Sequence, residues 1–217
     1  MEEQPIDQFY KALSPAERAQ IVADAAQAFG NFLTALKVDW QGDPQTKETP
    51  LRVAKMYVDE LFAGRFSTLP DLQSFEGKAS GELVVNGPIM FRSLCAHHCL
   101  PMTGFVTIGL VPARTSDGKS QLLGLSKYVR LVNWCSSRGY MQEDLGHVIL
   151  NTLQAQTQSE KIAVFIGAAH QCCTHRGVHA RENRAVTLHM TPAFEQDAVL
   201  RNDFGFITAA HMQQTEK

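Results

Sequence analysis

The hydrophobic period of this chain changes once, near Glu82, and that change limits what it can fold into. Before it, Ile21, Val22, Ala25, Ala28, Phe29, Phe32, Leu33 and Leu36 recur at offsets of three and four, which lays one apolar stripe along a helix. Ser14-Pro15-Ala16-Glu17 opens that helix as a capping box with proline in its first turn. A loop over 41–49, rich in Gly, Asp, Pro and Thr, leads to a second start, with Thr49 as cap and Pro50 behind it. Leu51, Ala54, Val58, Leu61 and Phe62 form its stripe, and Gly64 ends it. After Glu82 the apolar residues gather into β-branched runs at 83–85, 105–110, 162–166 and 185–188, bounded by Gly, Pro and Asn. Two helical stretches lie between them. One begins at Ser126; the other, 141–156, carries Leu145, Val148, Ile149, Thr152 and Leu153 on one face. The pattern predicts an α+β protein: a helical N-terminal arm over 1–80 and, over 81–217, a β-sheet backed by two helices.

Composition narrows the function. Hydrophobic residues make up 44% and charged residues 19% of the 217, enough to bury a core. The formal charge of −2 lacks the cationic excess that displaces counterions from nucleic acid, which excludes that partner class. The longest apolar run, 162–169, is too short to span a membrane, and Met-Glu-Glu-Gln-Pro is no export signal. Cys95, Cys99, Cys135, Cys172 and Cys173 form an odd set in a chain large enough to need no disulfides, which points to the cytoplasm and to thiols free for chemistry.

Cys95-Ala96-His97-His98 sets a thiol and an imidazole three residues apart, within reach of one ion from a single turn. Such pairs also occur by chance, and buried cysteine often serves as a small hydrophobe. The second cluster, Ala169-His170-Gln171-Cys172-Cys173, strengthens the signal. Cys95, His98 and one cysteine of that cluster give three ligands and leave a fourth tetrahedral position for water, as catalytic zinc requires. A closed structural site using Cys173 or Cys99 is the alternative. In the open arrangement His97 and His170 are spare and suit general acid and base work.

These motifs resemble the GTP cyclohydrolase I family. The resemblance runs from about residue 48 to 177: the stretch from Glu48-Thr49-Pro50-Leu51-Arg52 to Leu61-Phe62, Cys95-Ala96-His97-His98 with Pro101, Gly124-Leu125-Ser126-Lys127, Arg130, Gln142-Glu143, His170-Gln171-Cys172 and Arg176-Gly177. It implies Zn2+ held by Cys95, His98 and Cys172, with Cys173 not a ligand, and His97 and His170 as proton-transfer residues. It places Gln142 and Glu143 at the substrate. Guanine offers two adjacent N–H donors on one edge, and the Glu143 carboxylate has two acceptors to meet them. Ser126, Lys127, Arg130, Arg176, Arg52 and Lys55 fall on the triphosphate side, where Ser126-Lys127 opening a helix adds backbone N–H groups to the cations. The implied reaction hydrolyses GTP at C8, releases formate and closes a dihydropterin. The implied fold is the tunnelling fold, in a homo-oligomer, a decamer of two stacked rings, with sites between subunits.

The chain departs from the family at two places. Ala96 stands where a glutamate is usual, which removes a carboxylate from beside the ligands. After Arg176-Gly177 the expected Ser/Thr-rich strand is replaced by Val178-His179-Ala180-Arg181-Glu182-Asn183-Arg184-Ala185-Val186-Thr187. Those changes keep two other readings open: a divergent enzyme for another purine, or a silent zinc- and nucleotide-binding protein. Retention of both His97 and His170 argues against the silent protein, since metal binding needs neither. Cys99 adds a thiol that could pair with Cys95 when metal is absent.

Overall fold

The computed structural model describes residues 12–77, 81–114 and 119–215. The chain divides into two compact units between Thr68 and Leu69. In the first, α1 (Pro15–Ala35) begins at the expected capping box: the Glu17 N–H donates to Ser14 Oγ at 3.2 Å, and the Ser14 N–H donates to the Glu17 carboxylate at 2.8 Å. Helix α2 (Thr49–Met56) starts one residue earlier than Thr49 as cap would allow, because Glu48 occupies the cap position with no side-chain bond. A π-helical turn, Tyr57–Leu61, extends α2 before the chain turns at Ala63–Arg65. Val22, Ala54 and Val58 form a small core with Ile21, Ala25, Ala26 and Phe66 around it. The Arg18 guanidinium grips Asp59 with two parallel bonds, one of 2.7 Å. The end of the predicted stripe stays uncovered within this unit, with Phe32 and Leu36 both exposed.

The second unit holds a four-stranded antiparallel sheet in the order β2 (Val84–Leu94), β3 (Pro101–Val111), β5 (Lys161–His170), β6 (Ala185–Met190). A separate two-stranded ribbon pairs β1 (Ser74–Gly77) with β4 (Ser120–Leu123). All four expected strands are present. The run at 83–85 is only the start of a much longer strand, whose register shifts between Asn86 and Ile89. Helix α3 (Leu125–Ser136) packs on β2, and α4 (Gln142–Thr157) packs on β5 and β6, as the two predicted backing helices.

The structure adds a further helical layer. After the short α6 (Pro192–Gln196), α7 (Ala198–Thr215) also packs on the sheet. Phe194 and Phe204 join Phe105, Ala163 and Phe165 in one buried cluster, while Val106, Ile108, Leu110, Ile162, Val164 and Ile166 point to the opposite face by strand alternation. The Phe204 ring lies so close to Gly109 that a Cβ there would stand 2.7 Å from it. Thr107 Oγ1 and His211 Nδ1 lie 2.9 Å apart, tying α7 to β3. A sheet covered on both faces explains why 105–110 and 162–166 are continuous apolar runs rather than alternating ones. None of the described helices is long and apolar enough to cross a membrane.

Strand pairing places the functional end of the sheet. Leu94 pairs with Pro101, and Met102 pairs with His170, so the β2–β3 turn and the end of β5 lie side by side. Ala185 pairs with Ala168, which brings the start of β6 to the same end. Near this end β3 and β5 approach closely: a Cβ on Gly104 would overlap the Gly167 carbonyl oxygen and come within 2.6 Å of Ala168 Cα. Backbone atoms in the middle of a sheet cannot move aside cheaply. Gly104→Ala should therefore fail to fold or lose well over 4 °C of thermal midpoint, the shift that about 1 kcal/mol produces at this size; a smaller change in a thermal melt would show that the two strands can separate.

Candidate metal centre

The β2–β3 connection is a single tight turn. The Cys95 N–H donates to the Leu100 carbonyl at 2.9 Å, while the Cys95 carbonyl accepts from the N–H groups of His98 at 3.3 Å and Cys99 at 2.9 Å. Cys99 takes φ of 51°, which turns the chain back into β3. Winding of this kind brings His98 back over Cys95, which is buried at the base of the turn. On the neighbouring strand, β5 runs directly into the short helix α5 (Gln171–Thr174), which carries Cys172. The two thiols and the His98 imidazole consequently offer donor atoms that all lie within 4.8 Å of one another.

A tetrahedral Zn2+ with ordinary bond lengths separates such donors by about 3.5–3.8 Å, so a small contraction onto the ion completes the set. Two thiols and one imidazole are donors that zinc accepts, and three ligands leave one position open. Cys173 and Cys99 are not members of this group, although the Cys173 sulfur lies 3.9 Å from that of Cys172. Burial first, then the neighbouring Cys173 and Cys95 thiols, pushes the Cys172 thiol up to about 11. Without a cation it keeps its proton at neutral pH, and metal binding must release it.

Beside the ligands lies a cavity of about 230 Å3, lined by Cys95, Cys172, His97, His170, Glu143 and Asn183 among others. Two larger cavities, of about 480 and 750 Å3, contain no cysteine or histidine, and the chemistry is concentrated in the smaller one. Glu143 reaches the cavity from the exposed first turn of α4. Burial holds His170 below the usual imidazole range, with the Glu143 carboxylate pulling the other way, so a neutral ring is favoured at physiological pH.

Gln142, expected at the substrate, instead turns its side chain inward. It is 1% exposed; its amide nitrogen donates to the carbonyls of Ile166 at 3.2 Å and Ala185 at 3.1 Å, and its oxygen lies 2.9 Å from His170 Nε2. Ser126 and Arg130 are exposed on the first turns of α3. Lys127 between them donates from Nζ to the Asp71 carbonyl at 2.9 Å and lies 3.5 Å from its carboxylate. Arg176 is exposed just after α5, ahead of Gly177 at φ of 64°. Arg52 and Lys55 are exposed on one side of α2 in the first unit. Of the cations in the second unit, Lys127, Arg130 and Arg176 do not line the cavity.

Sequence reasoning missed several neighbours. Asn183, Cys173, Met141 and Ala185 complete the cavity wall. His147 and His189 stack edge to face with centroids 4.4 Å apart, and the His189 ring fills the space where a Cβ on Gly146 would sit. A glycine in mid-helix was the available signal, since it costs stability unless something large needs the room. Ala96 is an exposed methyl in the ligand turn.

Comparison with known proteins accords with this geometry. The sequence model of the family described as GTP cyclohydrolase I matches residues 25–208. A protein named GTP cyclohydrolase 1 from Enterococcus faecalis is 40% identical over 175 residues, covering 80% of this chain and 90% of the relative. One of the same name from Tolumonas auensis is 32% identical over 197 residues, 90% of this chain and 87% of the relative. With the family's sequence pattern matched over most of its length, this chain belongs to the GTP cyclohydrolase I family.

Proposed function

We propose that this chain is a zinc-dependent GTP cyclohydrolase that opens the purine of GTP at C8, releases formate and forms 7,8-dihydroneopterin triphosphate. The observation that carries the reading is one juxtaposition: the Cys95, His98 and Cys172 donors, within 4.8 Å of one another, adjoin a cavity that also holds His97, His170 and Glu143. The relatives named GTP cyclohydrolase 1 support the choice of GTP. A Zn2+ held by Cys95, His98 and Cys172 would supply Lewis acidity beside this cavity.

The chain's own residues do the rest. Glu143 accepts the two N–H donors on one edge of guanine and orients C8 toward the ligands. His170, held neutral by burial, takes and returns a proton, and the exposed His97 serves as its counterpart across the cavity. Ser126, Lys127, Arg130, Arg176, Arg52 and Lys55 take the triphosphate, for which Lys127 exchanges its bond to the Asp71 carbonyl. The working protein is a homo-oligomer, a decamer, with sites between subunits. Its sheet supports this: among the described residues β2 and β6 are its outer strands, and they expose Met90, Val186 and Leu188. Five free cysteines fit a reducing cytoplasm.

The direct test incubates zinc-loaded protein, its mass checked by light scattering against the 24.0 kDa chain, with GTP. Formate and the fluorescence of the oxidised pterin should appear together. Formate alone would mean a reaction that stops at ring opening, and neither product would remove GTP as substrate and turn attention to Ala96 and 179–184. His170→Ala should keep its zinc while turnover falls at least 10²-fold, whereas Cys172→Ser should lose both; equal zinc loss in the two variants would undo the division between ligand and proton carrier. Glu143→Gln sets a donor against a guanine donor and should raise KM for GTP about 5- to 150-fold, as about 1–3 kcal/mol implies. An unchanged KM would move purine recognition elsewhere.

A further inference from the structure

Gln142 opens α4, and its amide is almost completely buried, at 1% exposure. The two ends of that amide can be told apart by what surrounds them. One end faces the Ile166 carbonyl at 3.2 Å, the Ala185 carbonyl at 3.1 Å and Thr187 Oγ1 at 3.3 Å. Carbonyl oxygens only accept, so this end must be the NH2 group. Turning the amide over would press its oxygen against two backbone carbonyls that only accept and lose both of those bonds, which a buried amide does not tolerate. The other end is therefore the oxygen, 2.9 Å from His170 Nε2. An amide oxygen only accepts as well, so Nε2 must carry a proton. A neutral imidazole has one N–H, and the lone pair is left on Nδ1.

We infer that Gln142 is a positioning residue that holds the His170 ring in one orientation as the Nε2–H tautomer. The inference rests on the reading of His170 as a proton carrier. Held at Nε2 by the buried amide, the ring keeps one orientation, and Nδ1 is the nitrogen left without a proton in the neutral form. The anchor spans two strands: Ile166 lies on β5, the strand that ends in His170, while Ala185 and Thr187 lie on β6. Thr187 is the one Ser or Thr among residues 178–187, and its hydroxyl is bound to this amide.

The test reads the tautomer itself. Zinc-loaded, full-length protein carrying 15N-histidine is sedimented and studied by magic-angle-spinning NMR, with the His170 signals identified by difference against His170→Ala. Wild type should show a pyrrole-type Nε2 and a pyridine-type Nδ1; the reverse pattern would overturn the inference without any variant having to fold. Gln142→Met, which keeps the length and loses the acceptor, should give a mixture of tautomers and lower kcat by about 10- to 100-fold with KM for GTP within about twofold. Raised KM with kcat intact in Gln142→Met would make Gln142 a substrate contact and refute the positioning role. Full activity in His170→Ala would defeat the proton-carrier reading whatever the tautomer, whereas an inactive His170→Ala with the proton on Nδ1 defeats only the assignment to Gln142.

Discussion

The pairing of β3 with β5 governs everything at the functional end of this protein. Ten successive residue pairs, from Met102 with His170 to Val111 with Lys161, lock the two central strands in one register. Their first pair sets the turn carrying Cys95 and His98 beside the short helix carrying Cys172. A slip of one residue would exchange the two faces of one strand, taking Phe105 or Phe165 out of the cluster with Phe194 and Phe204 and forcing it into the opposite packed layer. The layers on both faces oppose such a slip, because Phe105 and Phe165 are held in one cluster by Phe194 and Phe204. The candidate donors Cys95, His98 and Cys172 are thus positioned by hydrophobic packing well removed from them.

The same end of the sheet separates two electrostatic environments. Cys172 and His170 stand where burial favours their neutral forms, and Glu143 and His97 stand at the solvent side. Neutral, partly desolvated donors suit a cation that supplies its own charge, and an exposed carboxylate suits a purine edge that arrives from water. Gln142 belongs to the buried class despite being next to Glu143 in sequence. Helix geometry accounts for the difference, since consecutive residues at a helix start point about 100° apart.

Much of this was legible in the sequence. The capping box at Ser14, the four strand runs and the two backing helices follow from local pattern. Spacing alone pointed to Cys95, His98 and one cysteine of the second cluster as donors, with His97 and His170 spare, while the choice of Cys172 and of Glu143 came from the resemblance to the family. What escaped was set by tertiary contact. Helix α7 has its apolar residues spread around its circumference, with Phe204 buried and Phe206 exposed, so no stripe announced it. The inward turn of Gln142 depends on carbonyls 24 and 43 residues away. The Lys127 bond to Asp71 likewise joins segments 56 residues apart.

Asn183 borders both the metal cavity and the adjoining cavity that holds Arg181, Glu182 and Arg184. Its neighbours from 181 to 186 are all exposed. This turn is a wall whose outer surface bears no part of the core, with Thr187 beyond it committed inward. The side chains of Arg181, Glu182 and Arg184 can therefore change without disturbing the core, the Cys95–His98 turn or the Gln142 anchor, so the cavity next to the candidate metal centre can take on a different charge while that centre keeps its donors.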